Sequence, residues 1–171
     1  MGISWSAMRK KLEQENLCLS LRGRVKYFAT RYRKTHDCEG GVAVRVDGRE
    51  VLRSDFFKWA KLMYTDRPRC EFNEKSWDEI NMDTHEKAGF DQYAFYSAFY
   101  KYDNQSIEQS LNSDDAIVRM FAVLDKRTGR RTLEKLLPAA AGQPEWLKFF
   151  YRLRMQAENM DISALKKEQS E

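Results

Sequence analysis

Arg24, Lys26, Phe28 and Tyr32 alternate along one extended stretch, so a β-strand there sets all four on one face. Cations interleaved with aromatic rings suit phosphate contact combined with base stacking. Arg45 joins them if the next strand pairs with the first through a shared valine side, and Arg22, Arg31, Arg33, Lys34, Arg49 and Arg53 surround the group. The ordinary alternative is the solvated side of an antiparallel sheet, whose outward positions are polar. A second cluster, Asp125-Lys126-Arg127-Thr128-Gly129-Arg130-Arg131, offers cations that suit phosphate or an acidic partner. The same residues also read as a helix end with cations on its negative pole, Gly129 as its cap, and Asp125 paired with Arg127 or Arg131.

Other chemistries have less to work with. His36 and His85 are the histidines, and neither adjoins a Gly-x-Ser-x-Gly elbow or a cysteine nucleophile motif. There is no Walker A lysine and no Gly-x-Gly-x-x-Gly run. Asp78, Glu79, Asp83, His85, Glu86 and Asp91 supply oxygen ligands and an imidazole, but not at metalloprotease or EF-hand spacing. No catalytic residue, metal ligand or cofactor is therefore assigned. Cys18, Cys38 and Cys70 are odd in number and widely spaced, which fits a reducing cytoplasm. No apolar run approaches the ~18 residues of a membrane-spanning helix, and no signal-peptide core follows the first cations.

These side chains must be held by elements of two kinds. Residues 1–69 carry 16 Lys and Arg against 8 Asp and Glu, whereas residues 70–171 carry 14 against 18. The strand signals fall in the basic part. Ser4 caps a helix over about residues 5–16, with Trp5, Met8 and Leu12 on one face. Strands follow over 24–33, 42–46 and 49–53. Val25, Tyr27 and Ala29 share one side of the first strand, and Val42, Val44 and Val46 one side of the second. Asp47-Gly48 is the type I′ turn of a hairpin. Ser54 caps a second helix with an apolar stripe of Phe56, Trp59, Ala60, Leu62 and Met63. Trp5, Val44 and Trp59 are expected to meet beneath the sheet.

Residues 66–89 form an acidic, irregular connection with a short helix near 76–81, able to fold over the basic sheet. Residues 90–160 read as helices. They hold a capping box at Ser106–Gln109, a helix start at Asn112–Asp115, a helix stopped by Pro138 and one opened by Pro144. The rings between Phe90 and Tyr102 read as core, with any exposed side a protein-binding surface. Residues 161–171 form a frayed tail.

Several blocks together carry a resemblance. They are Ser4-Trp5-Ser6, Leu21-Arg22-Gly23-Arg24-Val25 with Tyr27 and Ala29-Thr30-Arg31-Tyr32-Arg33, Ser106-Ile107-Glu108-Gln109-Ser110-Leu111, and Leu124-Asp125-Lys126-Arg127-Thr128-Gly129-Arg130-Arg131. With them the chain resembles a group of small, uncharacterised bacterial proteins of similar length. The resemblance implies a stand-alone bacterial cytoplasmic protein and no catalytic residues.

The sequence therefore predicts a single α+β domain over 1–171: an N-terminal helix and three-stranded antiparallel meander packed on a mostly helical C-terminal half. The leading expectation is a non-enzymatic interaction protein whose partner is another macromolecule. The alternative is nucleic-acid binding through the basic sheet face, and a small enzyme ranks third. The partner-binding candidates are Arg24, Lys26, Phe28, Tyr32, Arg45, Arg127, Arg130 and Arg131. Nucleic-acid binding requires Arg24, Lys26 and Arg45 on one uninterrupted positive face, whereas the interaction reading requires an exposed aromatic patch on the helical half or an obligate oligomer.

Overall fold

Ser4 accepts a hydrogen bond from Ala7 N and opens α1, Trp5–Lys10. The computed structural model of the protein describes residues 2–30 and 40–166. α1 widens into a π-helical turn, Lys11–Glu15, closed by Asn16 N donating to Lys11 O at 2.8 Å. Met8 and Leu12 are buried as their spacing predicts, and Glu13 is buried beside them. Glu13 Oε1 accepts Tyr27 N at 2.7 Å on the outer edge of the sheet. A carboxylate thus covers one backbone donor that an edge strand leaves open.

The sheet is an antiparallel meander of β1 Val25–Thr30, β2 Gly41–Val46 and β3 Arg49–Arg53, in that order. Val25 faces Val46, Tyr27 faces Val44 and Ala29 faces Val42 across the first pair. Alternation sends these side chains inward, so Lys26 and Arg45, themselves opposite, point outward. Asp47 and Gly48 take φ of 50° and 81°, the left-handed pair a type I′ turn needs. The register slips between Val44 and Arg45, which places Glu50 opposite Arg45.

Helices follow: α2 Phe56–Ala60, extended by a second π turn at Lys61–Thr65, then α3 Glu71–Glu74, α4 Trp77–Glu86, α5 Gln92–Asp103 and α6 Ile107–Leu111. α7 Ala116–Leu124, α8 Arg130–Ala141 and α9 Glu145–Ala157 complete the order. Every residue of α7 except Arg119 is buried, as befits a helix apolar on all sides. α5, α6 and α9 pack around it. The sheet joins this core through Tyr27, whose ring lies 6.1 Å from Phe95 and 6.2 Å from Phe121. Phe95, Phe99 and Tyr102 are core, so the predicted aromatic helix is mainly structural.

Several expectations are corrected. Asp55, not Ser54, caps α2 by accepting Lys58 N, while Ser54 Oγ accepts Val42 N and ties the helix start to the sheet. The connection after residue 66 is largely helical: Ser76 forms a capping box with Glu79, and α4 runs ten residues to Glu86. Gly129 is the N-cap of α8 with φ −75°, not a left-handed C-cap of α7. Arg130 and Arg131 therefore open a helix at its positive pole, the reverse of the dipole reading. Pro138 lies inside α8, which continues three residues past it. The tail is ordered at its start: Ile162 and Leu165 are buried, and Arg152 Nη1 donates to Leu165 O at 3.0 Å. Trp5 and Trp59 do not meet beneath the sheet. Trp5 packs on Tyr96 at 6.0 Å, while Trp59 packs between Phe56 and Tyr64 at 5.5 and 5.9 Å.

Candidate functional site

The outward sheet face gathers Arg24, Lys26, Phe28 and Arg45, as the strand alternation predicts; Tyr32, with Arg31, Arg33 and Lys34, lies outside the described residues. Arg45 stacks over Phe28 at 4.3 Å from the ring centre, and Arg9 of α1 approaches the same ring at 5.9 Å. This face is not uninterrupted positive charge. Arg24 forms a two-point pair with Asp47 at 2.9 and 2.8 Å. That hydrogen bonding holds the Asp47 carboxyl below its usual range and the Arg24 guanidinium above its own. Lys26 lies 3.4 Å from Glu13, which also binds Arg9 at 3.0 Å. Arg53 grips Glu50 at 2.7 and 2.8 Å and depresses that carboxyl too, helped by Arg45. A phosphate binding here would have to compete with these carboxylates: the exposed Arg24–Asp47 and Arg53–Glu50 pairs are weak enough to exchange, whereas Glu13 is buried.

The second predicted cluster folds inward. Asp125, just after α7, is almost fully buried and receives the Tyr102 hydroxyl. Its carboxylate also accepts the Arg127 backbone N–H at 2.7 Å and the Arg127 guanidinium at 2.7 to 3.1 Å. Burial first, then the Asp125 charge, pushes the Tyr102 phenol above its ordinary range, so it stays protonated and donates. Thr128 Oγ1 donates to Ala122 O at 2.6 Å, and buried Arg154 donates to Thr128 O at 2.9 Å. Arg130 reaches Glu134 at 3.3 Å and Glu158 O at 3.1 Å. Arg127 and Thr128 also line an open groove of about 410 Å³ between α6 and α8, with Lys135 and Glu108 on its walls. Arg131 stands exposed at the helix start, apart from that groove. The cluster is thus knitted into the core by Asp125, and its arginines spread over different surfaces rather than converging.

A third surface was not singled out by sequence. Phe56 and Phe57 on α2 are 38% and 83% exposed, Tyr64 is 59%, Trp77 on α4 is 59% and Tyr93 on α5 is 58%. The rings are contiguous in part: Phe57, Phe56, Trp59 and Tyr64 follow one another at 5.8, 5.5 and 5.9 Å. Asp55 N donates to Phe90 O at 2.9 Å, which brings the start of α2 against the start of α5. Trp59 Nε1 donates to Asn81 Oδ1 at 3.4 Å, which joins α2 to α4. Between them lies a cleft of about 330 Å³ with Trp59 and Tyr93 on its walls and Asp78, Asp91 and His85 along it. His85 is buried, with Nδ1 3.1 Å from Asp115 Oδ1. Asp115 in turn caps α7 through Ile117 N. Ser97 borders the same cleft, but no hydrogen bond among the described residues links it to His85. The His–Asp pair joins α4 to the start of α7.

The expected α2 stripe of Phe56, Trp59, Ala60, Leu62 and Met63 is buried only at Met63. Spacing carries no sign of this: positions 56, 59, 60 and 63 share one helical face whether or not anything covers it.

The class these features define is a mixed α+β fold: an N-terminal helix and a three-stranded antiparallel sheet followed by a mostly helical C-terminal half. The chain belongs to the SF0329 protein family, whose model matches residues 4–155. No curated protein and no solved structure matches it. No helix among the described residues is long and apolar enough to cross a membrane. No group of three or more His, Cys, Asp or Glu among them is placed to hold a metal ion.

Proposed function

We propose that the protein is a non-enzymatic accessory protein of the bacterial cytoplasm that docks another protein on the aromatic face of α2, α4 and the start of α5. The observation that carries this reading is the set of exposed rings at Phe56, Phe57, Tyr64, Trp77 and Tyr93. Singly exposed apolar residues are ordinary, but a run of adjoining rings on α2 and its π turn, with Tyr93 across a shared cleft, marks an interaction surface. Tyr, Trp and Phe are also the residues that dominate the centres of protein interfaces. The nucleic-acid reading is less favoured because Glu13, Asp47 and Glu50 sit among the cations it needs.

Affinity capture from cells with the tagged protein and with a Phe57→Ser/Tyr64→Ser variant tests the choice. Both residues are exposed, so folding stability should stay within about 0.5 kcal/mol. The expected result is a discrete protein lost by this variant and retained by an Arg24→Ser/Lys26→Ser/Arg45→Ser variant. The contrary result comes from fluorescence anisotropy with duplex DNA, duplex RNA and single-stranded RNA. Binding that falls steeply with salt and is lost in the triple variant would transfer the function to the sheet face.

A further inference from the structure

We infer that the cleft between α4 and α5 receives an arginine or lysine side chain of the partner, with Trp59 and Tyr93 as its walls and Asp78 and Asp91 as its counter-charges. This deepens the docking proposed above and rests on it. Charge complementarity supports this occupant. Asp55, Glu74, Asp78, Glu79 and Asp91 have no ion pair among the described residues, although Glu71, Asp83 and Glu86 of the same region are paired with Arg67, Lys75 and Arg119. Two of the five, Asp78 and Asp91, line the cleft, and among the described residues no Lys or Arg does.

The carboxylates are free to act in different degrees. Asp91 Oδ1 accepts Ala94 N at 2.7 Å as the cap of α5, which leaves its other oxygen for a ligand. Asp78 is exposed in the first turn of α4. Glu79 is held by Ser76 and contributes field rather than contact. Asp115 is engaged by His85 and by Ile117 N, so it too acts at a distance. Aromatic faces attract cations, most strongly when water is excluded, and guanidinium stacks on rings while pairing with carboxylates. A neutral or acidic partner would leave Asp78 and Asp91 facing an interface without compensation.

The test uses the full chain labelled with nitrogen-15, with the Trp59 indole N–H resonance as reporter. The probes are three capped peptides of identical length: Ala-Arg-Arg-Ala, Ala-Lys-Lys-Ala and Ala-citrulline-citrulline-Ala. Saturable shifts of the Trp59 and Asn81 side-chain signals are expected with the first two and not with the third. An Asp78→Asn/Asp91→Asn variant, which keeps side-chain volume and the α5 cap, should weaken binding by about tenfold. Equal shifts with the citrulline peptide, or full binding by the variant, would overturn the inference.

Failure here is distinguishable from failure of the docking reading. If no peptide shifts Trp59 while the Phe57→Ser/Tyr64→Ser variant still loses its captured protein, the cleft is wrong and the face stands. If neither effect is seen, both are wrong. A concentration-dependent dimer on sedimentation, abolished by Asp78→Asn/Asp91→Asn, would assign the cleft to a second copy of this chain and overturn the heterologous partner.

Discussion

Asp125→Ala should lower folding stability by about 2–5 kcal/mol, through the polar groups it strands rather than through Arg127, whose side chain is half-exposed. The carboxylate is the node at which two parts of the molecule meet: Tyr102 brings in α5, and the Arg127 backbone and guanidinium fix the turn into α8. The isolated bridge between Leu17 and Asp125 is backbone pairing and stands apart from the carboxylate. Alanine leaves the Tyr102 hydroxyl buried without an acceptor and removes the acceptor of the Arg127 N–H. Each unsatisfied buried group adds about 1–3 kcal/mol. Tyr102→Phe should cost less, about 1–2 kcal/mol, because the carboxylate keeps Arg127. Urea unfolding followed by circular dichroism measures both. An Asp125→Ala midpoint equal to that of the natural protein would show that the network is decoration on a core held elsewhere.

Val44→Asp should prevent the sheet from docking at all, a loss of more than about 4 kcal/mol. Val44 is 1% exposed and faces Tyr27 across the sheet. A carboxylate there would sit against the ring that links sheet to α5 and α7, with no cation on the inner face of β1 or β2 to meet it. Val44→Ala, which only removes methyl groups, should cost about 2 kcal/mol and keep a cooperative transition. A cooperative, native-like melt of Val44→Asp would contradict the inward assignment of the valine face.

The parts of this fold that could be read from sequence are those where one physical rule acts alone. Valines at every second position have one way to be buried, so the faces of β1 and β2 followed directly. Asp47-Gly48 fixed the hairpin because few pairs take positive φ twice. Ser106 and Gln109 formed their capping box as spaced. The misreadings arose where two rules compete. α4 buries Thr84 and His85 along with Ile80, so two of its three buried residues are polar and its period was hidden. Gly129 suits either end of a helix, and only the chain's path shows that it opens α8. Pro138 ordinarily ends a helix, but α8 tolerates the one lost hydrogen bond.

The candidate site was less legible than the fold for a related reason. Periodicity shows which residues are apolar together and does not show whether anything covers them. α2 and its π turn hold enough rings for a core helix, yet only Met63 reaches the interior. The predicted basic face is where alternation places it, but the carboxylates that temper it come from elsewhere. Glu13 arrives from the π turn after α1, and the shifted register of β3 sets Glu50 against Arg45. Long-range placement of this kind leaves no mark in local spacing.

The most direct test of the docking face is site-specific photo-crosslinking in living cells. A photoreactive residue would replace Phe57 on the aromatic face in one variant and Arg24 on the sheet face in another. The account predicts a discrete protein adduct from the first position, and from the second neither that adduct nor nucleic acid. Adducts from the second position alone, to protein or to nucleic acid, would contradict it and move the binding surface to the sheet.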